Sequence, residues 1–491
     1  MSPTVNNPAA QSVQWLWLRG IMAAVLGKDT GRDTLTALGP RLARGAFWAL
    51  AGAAAARLAG LLAAMLVARV LGRTDFGKLG MILSTVGMFG TFAGFGLGIM
   101  ASKHVAEFRT TDPARAGRII TLSETFAFVS GMSMAISLVL LAPVLATGSL
   151  ASPEMTQPLR LSALSLFLNG LVGAQTGALS GLEAFRAIAK INLLSGLATV
   201  PLMVGGALIG GLGGAVWGTI LSAALNCLLN YLTMIPILRE FRIPFPAPGA
   251  FREHAVLWRF SLPATIGGAL VAPATWLCNT MVIHRPNGYP ELGLVSAANQ
   301  WRTAILFLPA TVGTAFLPIL ANLLASNNRK AFRKTARYTV IFSLAAGAVI
   351  AVPVFTFSDF VMKGYGNSFV SGQLVLRFTV LAATLYAANN QVTRILASLG
   401  QMWMATAFDL VWAASFLIAG ALLIPAYSAT GFAIALLASA FPVSGIQAWY
   451  MANLAPSSDH PASGGPERDG SSTDAASEMI NMGTAPDDDW I

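Results

Sequence analysis

The sequence predicts an all-α membrane protein in which about twelve transmembrane helices form two lobes of six. Three observations support this fold class. Of the 491 residues, 55% are hydrophobic and only 11% are charged, whereas about a quarter of the residues in a soluble domain are charged. The apolar residues form long runs, and short motifs of the first half recur in the second half. These features together indicate a polytopic membrane protein with duplicated halves.

Each apolar run is long enough to cross a bilayer. About 20 helical residues, rising ~1.5 Å each, span a hydrocarbon core of about 30 Å. By this criterion the spans are expected near residues 46–68, 79–100, 119–145, 159–180, 187–208, 215–238, 260–283, 292–324, 338–361, 374–399, 405–424 and 431–451. Six of these runs fall in each half of the chain.

A short charged link, residues 69–78, joins the first two spans. Gly72, Asp75 and Gly77 stop helices or form turns, so the spans and their link predict a transmembrane hairpin. The motif beginning at Phe76 recurs at Tyr289, and Leu179–Leu182 recurs at Leu396–Leu399 with nearly the same spacing. Because a unit of six helices begins and ends on one side of the membrane, two such units in series run parallel.

The distribution of basic residues predicts the domain limits and the topology. Lys and Arg are concentrated in alternate loops, which places both termini in the cytoplasm. We expect a cytoplasmic segment at 1–43 with an interfacial helix near 13–26, an N-lobe at 44–240 and a C-lobe at 241–454. Residues 455–491 are rich in Ser, Gly, Pro and Asp. Such an acidic tail buries too little apolar surface to fold and is expected to be disordered.

Several functional classes are disfavoured by the same composition. The two cysteines, Cys227 and Cys278, lie in apolar runs and predict no disulfide framework. The four histidines show no metal-binding spacing, and no Walker-type motif occurs. The net charge of +10 alternates between loops, which is a topological pattern and does not indicate a nucleic-acid site. No cofactor or metal is therefore expected, and no loop is long enough for a catalytic domain, so we do not expect an enzyme.

Three motifs resemble a known family. They are the sequence ARVLGRTDFGKLG at 68–80, ALSGLEAFR at 178–186 and GYGNSFVSG at 364–372. Together they resemble the polysaccharide-exporter branch of the flippase superfamily, which includes the Wzx-type flippases of lipid-linked oligosaccharides. Multidrug exporters and the lipid II flippase are related branches.

The resemblance implies two six-helix lobes that face each other across a central cavity, open alternately to each side. It implies a substrate of undecaprenyl-pyrophosphate-linked sugars that moves across the bacterial cytoplasmic (inner) membrane. A polysaccharide polymerase or chain-length machinery is the implied partner. The sequence leaves open two alternatives, a cation-coupled multidrug exporter and a non-transporting scaffold of an envelope-assembly complex.

Polar residues inside spans are costly, so each one needs a partner, a watery cavity or a function. Arg57 lies in the middle of the first span, where its guanidinium would suit a pyrophosphate group. Asn299 and Arg302 share one face of the eighth span. Tyr386, Asn390 and Arg394 follow one another at four-residue steps on the tenth span. We expect these six residues to bind substrate, although ion pairing, interhelical packing and snorkelling remain alternatives.

Two acids also lie within spans. Glu124 is in the third span and Asp409 is in the eleventh. Either residue is a candidate for taking up the proton or sodium ion that drives transport. The alternative is an ion pair near the cytoplasmic boundary, with Arg118 or Arg394 as the partner.

Overall fold

The structure is a computed structural model in which residues 32–94, 96–254, 270–325, 329–399 and 401–453 are described. Over these ranges the chain is almost entirely helical. The α-helices are α1 (Arg32–Gly94), α2 (Leu97–Phe108), α3 (Pro113–Val144), α4 (Thr156–Gly181), α5 (Phe185–Glu240), α6 (Val271–Ile283), α7 (Gly288–Ala325), α8 (Arg329–Thr356), α9 (Ser358–Tyr365), α10 (Gln373–Ser398), α11 (Met402–Ala438) and α12 (Ala440–Asn453). Shorter helical turns occur at Leu145–Ser149, Pro153–Met155, Ala250–Glu253 and Asn367–Gly372.

Six helical stretches of the described chain are long and apolar enough to cross a membrane. Three of them extend over 57, 56 and 49 residues, more than twice the length that one span requires. Each is interrupted by non-helical backbone, at Gly72 in α1, at Gly210 and Gly211 in α5, and at Ser428 in α11. These three stretches therefore hold two spans each and the other three hold one each. With α4, α6 and α7 they account for the expected total of about twelve.

Some expected elements lie outside the described residues. These are the interfacial helix near 13–26, the acidic tail at 455–491 and the beginning of the seventh span. Helix α1 begins at Arg32, before the N-lobe boundary that we expected at residue 44. The described residues up to Gln447 belong to one compact unit, so contacts between the two lobes can be described directly.

The two lobes repeat the same backbone geometry. Gly211 has φ 55° and ψ −133°, and Ser428 has φ 50° and ψ −123°. These residues are 217 positions apart, as are Leu179 and Leu396. A contact between helices recurs at the same spacing. In the first lobe Gly214 packs on the backbone of Gly206, and in the second lobe Gly431 packs on the backbone of Leu423. The predicted parallel duplication is confirmed.

Ser428 therefore holds a conformation that normally requires glycine. Its hydroxyl is buried and has no hydrogen-bond partner among the described residues. We expect Ser428→Gly to raise stability by about 1 kcal/mol, because the strain is relieved and no bond is lost. Thermal unfolding in detergent measures this. The matched change Gly211→Ser is expected to lower stability by a similar amount, and a higher melting temperature for Gly211→Ser would contradict the interpretation.

We call the end of the bundle that carries the breaks at Gly72, Gly210 and Ser428 the link end, and the opposite end the loop end. At the loop end, ion pairs fasten the N-lobe to itself and to the segment that follows α5. Arg109 pairs with Glu183 at 2.6 Å, and Glu253 accepts hydrogen bonds from both Arg115 and Arg118. Glu253 lies in the segment after α5, so this segment is fixed against the start of α3.

Candidate functional site

A polar cluster lies within the C-lobe, where α7, α10 and α11 meet. The guanidinium carbon of Arg302 lies 5.2 Å from the ring centroid of Tyr386. That ring in turn contacts Trp412, with 5.8 Å between the ring centroids. A cation over an aromatic face is attracted by the ring quadrupole. The sequence-predicted residues Arg302 and Tyr386, from different helices, are therefore brought together.

A small cavity of about 20 Å³ opens beside this pair. Its walls include Tyr386, Asn390, Asp409, Trp412 and Gln447. The space is enough for about one water molecule. Tyr386 is near enough to both Arg302 and Asp409 to interact electrostatically with them. Asn390 and the candidate coupling acid Asp409 thus share one cavity. We call Arg302, Tyr386, Asn390, Asp409 and Trp412 the C-lobe polar cluster.

Neighbouring amides on α10 hold helices together. Asn389 donates to the carbonyl oxygen of Ala440 at 3.3 Å and accepts from the Ser444 hydroxyl at 2.9 Å. Gln391 donates to the carbonyl oxygen of Pro309 at 2.9 Å. The interhelical packing role therefore applies to these two residues, while Asn390 between them lines the cavity.

The remaining C-lobe candidates flank the cluster. Asn299 lies one turn before Arg302 on α7, and Arg394 lies one turn after Asn390 on α10. The Nε atoms of Arg302 and Arg394 are buried, and within the described ranges neither has a hydrogen-bond partner. A buried guanidinium nitrogen without an acceptor is costly. Both arginines therefore have the capacity to bind an anion.

Arg57 lies apart from this cluster, in the first span of the N-lobe. Its side chain is exposed, next to the exposed Leu58. Among the described residues no acid pairs with it, in contrast to Arg73, Arg109, Arg115 and Arg118, which all form ion pairs. The expected alternative of an acidic partner on a neighbouring helix is thus not observed in this part of the chain.

The two intramembrane acids occupy different environments. Asp409 belongs to the C-lobe polar cluster, whereas Glu124 lines a separate cavity of about 590 Å³ inside the N-lobe. The alternative ion pair between Glu124 and Arg118 does not form, since Arg118 is bonded to Glu253. No pair between Asp409 and Arg394 occurs in the described structure.

The lobes are joined at the link end by a set of hydrogen bonds centred on Arg73. Its guanidinium donates to the carbonyl oxygen of Pro290 at 2.7 Å, to the Glu291 carboxylate at 2.5 Å and to the Ser371 hydroxyl at 3.2 Å. One turn earlier, Arg69 donates to the carbonyl oxygen of Gly364 at 2.7 Å. We call Arg69, Arg73 and Glu291, with these acceptors, the interlobe latch.

Close packing continues from the latch into the membrane. Gly77 touches the backbone of Tyr289, and Gly80 touches Ser296. Deeper still, Asn279 donates to the Ser84 hydroxyl at 2.9 Å and Trp276 donates to the Thr85 hydroxyl at 3.0 Å. The described ion pairs of the loop end, by contrast, join parts of the N-lobe to one another or to the segment after α5 that carries Glu253. Among the described residues, the interlobe bonds are therefore concentrated at the link end, where the two lobes are in contact.

A third basic residue of the first link, Lys78, binds within its own lobe. Its ammonium group donates to Glu154 at 2.6 Å and to Asp75 at 3.2 Å. The hydrogen bond from Lys78 lowers the pKa of the exposed Glu154 carboxylate. This ties the turn after α3 to the start of the second span, and Tyr289 reaches the same turn by donating to the carbonyl oxygen of Leu150.

Sequence analysis missed some residues of these sites. Trp412 and Gln447 were not candidates, although Trp412 follows Asp409 by three residues on the same helix face, which is the signal that would have found it. Arg69, Arg73 and Lys78 were considered only as part of the charged link at 69–78. Their partners lie in the other lobe or in another turn, and no spacing within the chain shows that proximity.

Comparisons with known proteins place the chain among transport proteins. A polysaccharide biosynthesis protein family model matches residues 42–324, and a MatE model matches residues 263–425. The EPS I polysaccharide export inner membrane protein EpsE of Ralstonia nicotianae is 25% identical over 377 residues, which is 74% of this chain and 84% of EpsE.

Solved structures share the fold. An inward-facing multidrug resistance MATE family transporter of the MOP superfamily aligns with a TM-score of 0.69 at 14% identity, over 81% of this chain and 94% of that one. An outward-facing structure of such a transporter aligns with a TM-score of 0.60 at 13% identity, over 84% and 94%. The fold is therefore the two-lobe helical fold of these transporters, and the chain, matched over more than half its length, belongs to the polysaccharide biosynthesis protein family.

Proposed function

We propose that this protein flips undecaprenyl-pyrophosphate-linked oligosaccharide repeat units across the bacterial cytoplasmic membrane by alternating access. It acts as a transporter and not as an enzyme. The observation that carries the proposal is the match of residues 42–324 to the polysaccharide biosynthesis family. The similarity to a polysaccharide export inner membrane protein over 74% of the chain agrees with it.

The C-lobe polar cluster has the chemistry that such a substrate needs. Arg302 has a buried, unpartnered Nε atom, and a guanidinium binds phosphate oxygens through charge-assisted hydrogen bonds. Aromatic rings such as those of Tyr386 and Trp412 offer flat apolar faces, and Asn390 offers both a donor and an acceptor. We assign pyrophosphate binding to Arg302, Arg394 and Arg57, and sugar binding to Tyr386, Asn390 and Asn299.

The direction of opening follows from the latch. The loop end carries the basic loops that the positive-inside rule places in the cytoplasm, and we assign both termini to the same side. With the link end closed by Arg73 and Glu291, the conformation is one that receives substrate from the cytoplasm.

Asp409 is the coupling acid that we favour, because it shares a cavity with Asn390 and Tyr386. A polymerase or chain-length machinery is the proposed recipient of the product.

The test uses sealed vesicles that contain the protein and a labelled polyprenyl-pyrophosphate oligosaccharide. A membrane-impermeant sugar-modifying enzyme added outside is expected to reach inner-leaflet substrate only when the protein is present. Protected substrate, together with extrusion of lipophilic cations under a proton or sodium gradient, would support a multidrug exporter instead and would overturn the proposal.

Arg302→Gln is expected to slow flipping about tenfold or more. The change keeps a polar side chain but removes the charge that holds a phosphate, and one such charged hydrogen bond contributes about 1.5–3 kcal/mol. The initial rate of substrate exposure in vesicles measures the effect. The matched control is Arg377→Gln, because Arg377 donates to the Ser358 hydroxyl within the same lobe and is not assigned to substrate. Equal rates for the two variants would contradict the role of Arg302.

Arg57→Ala is expected to reduce surface polysaccharide while protein abundance in the membrane stays normal. Because Arg57 is exposed and makes no ion pair with a described residue, its loss removes no packing or pairing on which the fold depends. Surface polysaccharide per molecule of membrane protein is the quantity to measure. Normal export by this variant would remove Arg57 from the proposed site.

A further inference from the structure

The N-lobe contains a second cavity that the proposed function does not use. It has a volume of about 590 Å³ and lies between α3, α4, the second half of α5 and the turn at Phe245. We call it the Glu124 crevice. Its lining residues belong to the N-lobe and to the segment directly after α5, so it is separate from both the C-lobe polar cluster and the interlobe latch. Its size is that of a pocket for a small organic ligand.

Two acceptor oxygens at this crevice lack donors. The Oε1 atoms of Glu124 and Gln175 are both buried, and in the part of the chain that the structure describes neither has a hydrogen-bond partner. Gln175 is only 3% exposed. Cys227 lies beside both side chains. Buried acceptors without donors are costly, so this pair is suited to a ligand that brings N–H groups.

The mouth of the crevice is apolar, and its side chains are exposed. Phe128, Leu228 and Tyr231 line it and are 50%, 52% and 43% exposed. These residues lie within the third and sixth spans, where the surroundings of an exposed side chain are lipid acyl chains. A ligand therefore reaches Glu124 from the bilayer and needs an apolar portion that can remain there.

The charges around the crevice exclude an anionic ligand. Glu124 is the only charged residue among its lining residues. The nearest basic residues along α3, Arg115 and Arg118, are occupied by Glu253. A phosphate or carboxylate would face the Glu124 carboxylate with no cation among the lining residues, which is strongly unfavourable in a low-dielectric site. Charge complementarity therefore favours a cation that donates hydrogen bonds.

We propose that the Glu124 crevice binds an amphiphile that carries a protonated primary amine. Its ammonium group donates hydrogen bonds to Glu124 and Gln175, and its hydrocarbon chain lies along Phe128 and Leu228 at the lipid-facing mouth. This site is independent of the oligosaccharide that the protein is proposed to flip.

The chain carries its own reporter for this site. It has two cysteines; Cys278 is fully buried, whereas Cys227 lines the crevice. In a Cys278→Ala background, the rate at which N-ethylmaleimide alkylates Cys227 is measured with purified full-length protein in detergent. The added probes are dodecylammonium, dodecyltrimethylammonium and dodecanol, which share one chain and differ in charge and in N–H donors.

Dodecylammonium is expected to slow the alkylation of Cys227 about tenfold or more at concentrations where the other two probes have little effect. Glu124→Gln should abolish this protection. Glu107→Gln, a change at an exposed acid that contacts His104, should leave it intact. Equal protection by all three probes, or protection that persists in Glu124→Gln, would overturn the proposal.

Two further measurements keep the test decisive. Should Glu124→Gln fail to fold, Gln175→Leu removes the second acceptor and is expected to weaken protection by dodecylammonium; unchanged protection would count against the site.

The second measurement uses nanodiscs of phosphatidylethanolamine, whose ammonium group has N–H donors, or of phosphatidylcholine, whose ammonium group has none. Protection by phosphatidylethanolamine would identify a membrane lipid as the occupant, whereas protection by dodecylammonium alone would identify a free amine.

Discussion

Gly77→Val is expected to abolish export by preventing closure of the link end. A Cβ atom at Gly77 would overlap the carbonyl oxygen of Tyr289, and it would lie only 2.9 Å from the backbone nitrogen of Gly293. Both atoms are backbone atoms of the opposite lobe and cannot rotate away. Overpacking of this kind costs about 1–3 kcal/mol or more, and here the cost is avoided only by separating the lobes.

The result can be read from cysteine accessibility as well as from export. In a Ser84→Cys background, a membrane-impermeant thiol reagent added outside is expected to react slowly with the parent protein and quickly with Gly77→Val. Gly87→Ala is the matched control on the same helix, because a Cβ atom there meets nothing within 4 Å. Unchanged export and reactivity in Gly77→Val would show that the lobes do not need this contact.

Arg73→Glu is expected to shift the protein strongly toward a state open at the link end. The change removes hydrogen bonds to Pro290, Glu291 and Ser371 and sets two carboxylates side by side. Both partners of the Arg73–Glu291 pair are largely shielded, with 21% and 25% of their side chains exposed. We therefore expect a cost of about 2 kcal/mol, which changes the ratio of the two states roughly thirtyfold.

The double variant Arg73→Glu with Glu291→Arg tests whether the pair itself is responsible. It is expected to recover part of the export that Arg73→Glu loses, because opposite charges again face each other across the lobes. Arg285→Glu serves as a control at the same end of the bundle, since Arg285 donates to Pro425 within the C-lobe. A double variant no better than Arg73→Glu alone would argue against the ion pair.

Most of the fold could be predicted from the sequence, because a bilayer imposes a fixed length on every span. The run at 46–68, the link and most of the run at 79–100 form one helix that is broken at Gly72 and ends at Gly94. The break at Gly72 was predicted, whereas Asp75 and Gly77, which were also expected to stop helices or form turns, are helical. The internal repeat predicted from short motifs is confirmed, and Ser428 occupies the position in the second lobe that Gly211 occupies in the first. A serine does not signal a positive φ as a glycine does, so this break was not foreseeable from residue type.

The sites were less accessible to sequence reasoning, since helical spacing shows which residues share a face but not what that face meets. Tyr386 and Asn390 were expected together, and they line one cavity with Asp409. Glu124 and Asp409 were given the same role because both are acids inside spans, yet they lie in different lobes and different cavities. Whether such an acid lies beside an arginine, beside lipid or in a cavity depends on tertiary packing, which the helical periodicity of the sequence does not show.

The breaks at Gly72, Gly210 and Ser428 limit how much of the chain is accessible outside the membrane. At these points two spans meet through a corner of one or two residues, without a loop. In the proposed orientation these corners face the outside, so a protease or an antibody finds little extended chain there to cut or to recognise. Contact with later steps of polysaccharide assembly is correspondingly restricted to the longer turns, such as the one at Asn367–Gly372.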